Sequence, residues 1–319
     1  MKKSFVYGLA TAMLLAGTSV YAGDLKTWGY GNIWTTLSNN ATSSTATDSG
    51  VGELETRTAA EVDFEKTVGK TTVRLDVDLK GNSTSTTSPV TTVTIEQVKL
   101  VRSLNDSMSF TGGIFNTPIG LELQDAPDKT TFSSGQLSKL RPANFTGVMF
   151  SWWNGPAALD LYAGNDWRGQ QAAPQGIYEN SIGGQISLSA NKIADLKVGY
   201  VTSERTKTSP LPTSDGDVLD VVLSTKVKNA KLAFEYLSDD NNDGWGAKIS
   251  GTHGVHGATL RYDTVENTSN PSAKTEKASL TVAVTCAMWE NVGAVLEYRQ
   301  DDDKKNKNDT VVLQWVAQF

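Results

Sequence analysis

The chain has very little cysteine and histidine. Cys286 is the only cysteine among 319 residues, so a disulfide within the chain is excluded. We expect Cys286 to be a small buried hydrophobe, because it has the same parity (it falls on the same alternate positions) as the apolar residues of a predicted strand. The two histidines, His253 and His256, have no cysteine or acidic neighbour at metal-ligand spacing. The sequence therefore predicts neither a metal centre nor a bound cofactor.

Motifs of catalysis are equally scarce. No Gly-x-Ser-x-Gly elbow occurs, and both histidines flank a predicted turn rather than a nucleophile. Residues 239–244 match the start of an EF-hand calcium loop, but the twelfth position is Ser250 instead of glutamate, which favours a solvated acidic turn over the alternative of a weak calcium site. We predict a protein that is not an enzyme, with a hydrolase as an alternative.

Long apolar runs and an excess of positive charge are also missing. Beyond residue 22 no apolar run approaches the 18 residues of a membrane-spanning helix, and the mean hydropathy is −0.31. This excludes a helical membrane protein but not alternating strands, whose apolar and polar residues average out as polar. With 29 basic and 35 acidic residues the net charge is −6, so we expect no nucleic-acid partner.

The N-terminal 22 residues have the features of a secretory signal peptide. Lys2 and Lys3 form a positive region, residues 5–16 are apolar, and Val20-Tyr21-Ala22 fits a cleavage site. The apolar run is too short for a membrane anchor, which is the alternative. We therefore expect residues 1–22 to be removed and residues 23–319 to form a single exported domain.

Residues 53–80 alternate strictly between apolar and charged positions, which indicates two strands joined by a tight turn at 68–70. The apolar face carries Leu54, Val62, Phe64, Val73, Leu75, Val77 and Leu79. The charged face carries Glu53, Glu55, Arg57, Glu61, Asp63, Arg74, Asp76 and Asp78. A slip of one residue would place basic residues on the apolar face, at a cost of about 2–4 kcal/mol each at a bilayer midplane. The register of this hairpin is therefore strongly determined.

The connections between predicted strands alternate between short and long. Short turns are predicted near 68–70, 104–106, 154–156, 191–193, 228–229, 253–255 and 287–290. Longer polar stretches are predicted near 39–51, 82–91, 117–145, 167–179, 205–216, 238–243, 267–274 and 301–308. Seven turns and eight loops join sixteen strands, with 14 to 18 as the range. This predicts an all-β fold, a transmembrane antiparallel up-and-down β-barrel with short periplasmic turns and long external loops.

A secreted β-sandwich or solenoid is the alternative fold, since its strands also alternate. It does not explain the alternation of loop lengths. It also does not explain the aromatic residues near strand ends, such as Trp153, Trp245 and Trp289, which suit the two interfaces of a membrane. Segment 92–103 has mixed parity, and we expect a β-bulge near Glu96-Gln97.

The C-terminal strand and the loop 117–145 resemble known outer-membrane proteins. Val311, Leu313, Trp315, Ala317 and Phe319 alternate to the end of the chain. An apolar last strand ending in phenylalanine resembles Gram-negative outer-membrane barrels, in which the assembly machinery binds that end. Residues 112–122, Gly-Gly-Ile-Phe-Asn-Thr-Pro-Ile-Gly-Leu-Glu, followed by a polar loop and Thr146-Gly147, resemble the OmpL-like β-barrel porin family.

This resemblance implies an outer-membrane channel for small hydrophilic solutes. The layout is also similar to that of general trimeric porins, whose third external loop folds into the lumen, so a homotrimer is implied as well. Carried over, the resemblance makes constriction candidates of Glu122, Asp125, Asp128, Lys139 and Arg141. The alternative for loop 117–145 is an ordinary external lid, because the acidic loop motif and arginine ladder of general porins are not matched.

Sixteen strands are wide enough to leave an aqueous channel, and acidic rings favour cations. Because acidic residues predominate on the charged face of residues 53–80, we predict a weakly cation-selective diffusion pore in the outer membrane. A plugged structural or adhesive barrel is the alternative function.

Overall fold

The computed structural model describes residues 25–39, 53–82, 90–122, 125–165, 180–190, 193–203, 217–269, 275–304 and 307–319. The predicted signal peptide and most of the predicted loops near 39–51, 82–91, 167–179 and 205–216 lie outside these residues.

Sixteen antiparallel strands make up most of the described part of the chain. They are β1 Lys26–Asn39, β2 Glu53–Val68, β3 Thr71–Asn82, β4 Val90–Asn105, β5 Met108–Asn116, β6 Asn144–Asn154, β7 Ala157–Asn165, β8 Asn180–Ala190, β9 Ala194–Ser203, β10 Val218–Val227, β11 Ala230–Asp239, β12 Asn242–His253, β13 His256–Asn267, β14 Glu276–Trp289, β15 Val292–Asp302 and β16 Lys307–Gln318. Each strand pairs with its neighbours in the chain, and β1 pairs with β16. The predicted sixteen-stranded up-and-down barrel is confirmed.

Two short 3₁₀ helices, Ala126–Asp128 and Leu137–Lys139, lie between β5 and β6. No helix in the described ranges is long and apolar enough to cross a bilayer.

Apolar side chains point out of the barrel and polar side chains point into it. On β14, Leu280, Val282 and Val284 are exposed, whereas Ser279, Thr281 and Ala283, which alternate with them, are buried. An exposed apolar band around a closed sheet is stable in hydrocarbon, where each strand also satisfies its backbone hydrogen bonds through its neighbours. The alternation read from the sequence is thus the alternation between the outer face and the lumen.

Details of the strands confirm one prediction and correct two. In the pairing of β3 with β4, Asp76 lies opposite Gln97 and Val77 opposite Ile95, which leaves Glu96 as the extra residue of the expected bulge. The connection near 238–243 is not a long loop, since β11 ends at Asp239 and β12 begins at Asn242. Cys286 is a free, half-buried cysteine at the parity of the exposed Val284, and so is not buried.

The connection of residues 117–143 between β5 and β6, called here the third loop, packs against the inner wall. It begins where predicted but ends two residues before the predicted range 117–145, because Asn144 and Phe145 belong to β6. Side chains of the loop and the wall form the main buried apolar cluster of the described residues: Phe115, Ile119, Leu137, Phe145, Tyr162, Val201, Val218, Leu237 and Val265. This cluster joins the loop to strands on both sides of the barrel.

Close approach of the loop to the wall depends on small residues. A Cβ atom on Gly199 of β9 would lie 2.9 Å from Cγ1 of Ile119. Gly120 has a φ of +102°, which side chains of L residues rarely adopt, and a Cβ there would collide with the Arg141 side chain. Glycines at these two positions therefore let the loop turn and lie flat on the sheet.

Candidate functional site

The third loop leaves β5 and reaches strands β10 and β11. At its base, the Thr117 amide donates to the carbonyl oxygen of Ala143 at 3.1 Å, which holds the two ends of the loop together. The Gly120 amide then donates to Oδ2 of Asp220 on β10 at 2.8 Å, and the Leu121 amide to Oε1 of Glu235 on β11 at 3.0 Å. Both carboxylates are buried. Inward-facing acids of the wall thus satisfy backbone donors of the loop.

Arg261 on β13 makes the second attachment. Its Nη1 atom donates to Oε1 of Glu122 at 2.6 Å and to the carbonyl oxygen of Ser133 at 2.8 Å. The Arg261 side chain is 4% exposed, and Nε lies 3.3 Å from Oδ2 of Asp263 on the same strand. The Gln136 amide donates in turn to Oδ1 of Asp263. One guanidinium and one carboxylate therefore hold three separate parts of the loop.

The third attachment lies on β15, with a further ring contact on β1. Oε2 of Glu297 accepts a hydrogen bond from the Phe132 amide at 2.7 Å, and Oε1 accepts one from the Ser133 amide at 3.1 Å. Nη1 of Arg299 donates to the carbonyl oxygen of Ser134 at 2.6 Å. The ring of Phe132 lies 5.5 Å from that of Trp34. The loop consequently extends inside the barrel from β5 as far as β15 and β1.

The five residues proposed for the constriction have different environments. Arg141 donates to the carbonyl oxygens of Ile119 and Glu122, both at 2.6 Å, so it braces the loop from within. Glu122 is bound by Arg261. Asp125 and Asp128 lie at the first 3₁₀ helix, and Nζ of Lys139 donates to Oε1 of Gln136 at 3.2 Å.

Charges on the loop near the first 3₁₀ helix are close together. Burial, together with the carboxylate of Asp128, raises the pKa of Asp125 above that of an ordinary aspartate. Burial lowers the pKa of Lys129, although Glu122 and Asp125 oppose that shift. Lys129 was not among the residues predicted for the constriction. Lys129 lies in the middle of a long polar stretch, where no alternation of apolar and polar residues indicates which way a side chain points.

Those pore-lining residues predicted on β2 and β3 whose side chains are described lie on the inner face, where several form ion pairs. Arg57 Nε lies 2.7 Å from Glu55 Oε1, and Arg74 Nε lies 2.7 Å from Asp76 Oδ1. The side chain of Glu53 lies outside the described residues. The remaining predicted residues on this face are Glu61, Asp63 and Asp78, of which Glu61 and Asp63 are buried.

Glu96 joins this acidic wall because of the bulge in β4. A carboxylate oxygen of Glu96 lies within 4.8 Å of oxygens of Glu61 and Asp78. A regular strand would have turned either Glu96 or Gln97 outward, whereas the bulge lets Gln97 stay buried with Glu96 beside it. Sequence reasoning located the bulge but did not assign Glu96 to the lumen.

Lysines line the wall of β9 to β12. Lys197, Lys231 and Lys248 border a cavity of about 220 Å³ whose other side is the loop, including Lys129. Within the described part of the chain, no carboxylate lies in ion-pair distance of the three wall lysines. Parity could have placed Lys197 and Lys231 on the inner face, because both alternate with apolar residues.

A second cavity lies on the acidic side of the loop. It has a volume of about 370 Å³ and is bordered by Asp78, Lys80 and Glu96 on the wall. Lys129 and Thr131 border both cavities, so this part of the loop stands between them. The interior of the barrel therefore retains space for water on two sides of the loop, with acids prevailing on one wall and lysines on the other.

Comparison with known proteins agrees with this geometry. The model of a family described as "Putative beta-barrel porin-2, OmpL-like" matches residues 58–234, which is more than half of the chain. No curated protein sequence matches the chain.

Solved structures of outer-membrane proteins share the fold. The outer membrane channel DcaP of Acinetobacter baumannii aligns with a TM-score of 0.64 at 14% identity, covering 94% of this chain and 99% of that one. An anion-selective porin from Comamonas acidovorans aligns with a TM-score of 0.66 at 11% identity, covering 93% and 100%. The trimer form of OmpT, an outer membrane protein of Vibrio cholerae, aligns with a TM-score of 0.63 at 12% identity, covering 94% and 100%. At these identities the likeness concerns the fold alone.

Proposed function

Because the chain belongs to the OmpL-like β-barrel porin-2 family and lies in the outer membrane, we propose that it is a porin for passive diffusion of small hydrophilic solutes and ions. The observation that carries this proposal is the pair of polar cavities inside a closed sixteen-stranded barrel. A channel of this kind needs no catalytic group, and we propose no enzymatic activity. The proposal includes three kinds of partner. They are small hydrophilic solutes, the outer-membrane lipid around the barrel, and the assembly machinery, which would recognise Phe319.

The third loop narrows the channel in this proposal. It is held on β10, β11, β13 and β15 by hydrogen bonds to side chains, which supports a fixed partition in the lumen rather than an external lid. Asp128 and Lys129 then border the remaining space, with Asp125 close to both, while Glu122 and Arg141 maintain the shape of the loop. Lys139 lies farther along, near Arg299 and Asp301.

Weak cation selectivity is the second part of the proposal. Asp78 and Glu96 border one cavity and Glu61 lies behind them, so a cation passing there meets several carboxylates. Lys197, Lys231 and Lys248 on the other wall favour anions. We give the carboxylates the greater weight because Asp125 of the third loop lies near Glu61 and Glu96 and adds a further negative charge to the acidic wall.

A plugged structural or adhesive barrel is the second candidate function. The specific observation in its favour is the number of hydrogen bonds that fix the third loop inside the lumen. Such a barrel would fold and insert but would not conduct.

Single-channel recording in a planar bilayer under a salt gradient tests the proposal. Stepwise conductance with a reversal potential of cation-selective sign is expected, and steps in groups of three would support a homotrimer. The paired variants Glu96→Gln and Lys231→Gln should shift the reversal potential in opposite directions, since each removes one charge from a different wall. Folded, inserted protein without conductance would favour the plugged barrel, and a reversal potential of anion-selective sign would refute the selectivity.

A further inference from the structure

Three carboxylates of the inner wall approach one another without the donors that would balance them. One oxygen from each of Glu61, Asp63 and Asp76 lies within 4.8 Å of the other two. All three residues are buried, with exposures of 1%, 3% and 0%. Oε1 of Glu61 and Oδ1 of Asp63 are buried and accept no hydrogen bond among the described residues. Buried carboxylate oxygens are normally paired, so two orphaned ones in one cluster indicate a missing positive partner.

The groups around this cluster hold it in place but do not neutralise it. Tyr30 donates its hydroxyl hydrogen to Oε2 of Glu61 at 2.8 Å, and Oε1 is left without a donor. Arg74 is committed to Asp76 at 2.7 Å, and its guanidinium stays 3.8 Å from Oδ1 of Asp63. The ring of Trp28 lies 5.2 Å from that guanidinium and helps to hold it there. With all three carboxylates ionised, as they would be around a bound cation, the single guanidinium leaves two negative charges in excess.

We propose that Glu61, Asp63 and Asp76 bind one calcium ion on the lumen wall of β2 and β3. Carboxylate oxygens are the ligands that Ca²⁺ prefers, at 2.3–2.6 Å, so two ligands of one ion lie up to about 5 Å apart. The separations in this cluster fit that limit. The excess of two negative charges also matches the charge of the ion. Gln97 and Arg74, which hydrogen-bond Asp76, orient this ligand from behind.

This site adjoins the path proposed for transport but does not depend on conduction. Glu61 also belongs to a second trio with Asp78 and Glu96, which borders the larger cavity and offers a route of entry from the lumen. We assign the ion to the first trio because both orphaned oxygens belong to it.

Calorimetric titration of folded, chelator-treated protein with CaCl₂ in detergent tests the assignment. We expect one Ca²⁺ per chain, with an affinity that falls at least about tenfold in Glu61→Gln and in Asp63→Asn. The matched control is Glu65→Gln, an inner-face acid of the same strand paired with Lys26 at 3.3 Å, which should bind as the unaltered protein does. Circular dichroism establishes that each variant is folded.

A second measurement does not depend on any variant. Tb³⁺ bound at the trio would lie beside Tyr30 and Trp28, so excitation of these rings should sensitise its emission, and CaCl₂ should quench that emission by displacement. The assignment is overturned if the folded protein binds no Ca²⁺, because the orphaned oxygens would then share protons. It is also overturned if binding survives in Asp63→Asn but is lost in Glu96→Gln. A protein that binds Ca²⁺ here yet conducts nothing would refute only the transport proposal.

Discussion

Replacement of Arg261 by glutamine should release the third loop from β13. The Arg261 side chain is 4% exposed and that of its partner Glu122 is 10% exposed, so the ion pair is largely withdrawn from water. Removing one partner of a buried pair costs about 3–5 kcal/mol. Water in the adjacent cavity can solvate the abandoned Glu122, and we therefore expect a loss of about 2–4 kcal/mol in the free energy of unfolding.

The assay is equilibrium unfolding in urea of the folded protein in detergent, combined with single-channel recording of the same variant. The double variant Arg261→Gln with Glu122→Gln should lose less than the sum of the two single variants, by about 1–3 kcal/mol, because the pair is already broken in each. Conductance should become larger or noisier as the loop moves away from the wall.

Lys248→Gln is the matched control for Arg261→Gln. Lys248 lies opposite Arg261 in the β12–β13 register and faces the lysine-lined cavity. Its replacement should change the free energy of unfolding by less than about 0.5 kcal/mol. If Arg261→Gln is as stable as this control, or if the double-variant cycle is additive, the reasoning that the ion pair fixes the loop is wrong.

Two further predictions concern the outer and inner faces of the wall. Val282→Arg should cost about 2–4 kcal/mol of folding free energy in lipid vesicles, because Val282 is 43% exposed on the outer face. The control Val282→Leu should cost almost nothing. Equal losses of folding free energy in the two variants would contradict a lipid-facing position for Val282. Gly199→Val should lower the free energy of unfolding in urea by about 1–3 kcal/mol, because the new Cβ would meet Ile119 of the third loop. Displacement of the loop should also increase the conductance. An unchanged conductance would show that this contact does not hold the loop.

The barrel wall could be predicted from the sequence because its determinants are local. The side-chain period of a strand is two, and one register alone keeps residues such as Asp63 and Asp76 out of the lipid. The alternation of apolar and charged residues is therefore enough to predict that these acids lie on the inner face. The same local rule located the bulge at Glu96, since a change of parity within one strand requires an extra residue.

The interior of the barrel could not be predicted in the same way, because its contacts join residues far apart in the chain. Glu122 and Arg261 are 139 residues apart, and Ser133 and Glu297 are 164 apart. No period relates such pairs; they meet only because the barrel closes and the third loop turns inward at Gly120. A charge that parity assigns to the lumen can thus face water, brace the loop or share a cation with its neighbours. Glu61 is an example: the alternation predicts that it faces the lumen, but the unpaired state of its Oε1 atom depends on Tyr30 of β1 and on the acids of β2 and β3.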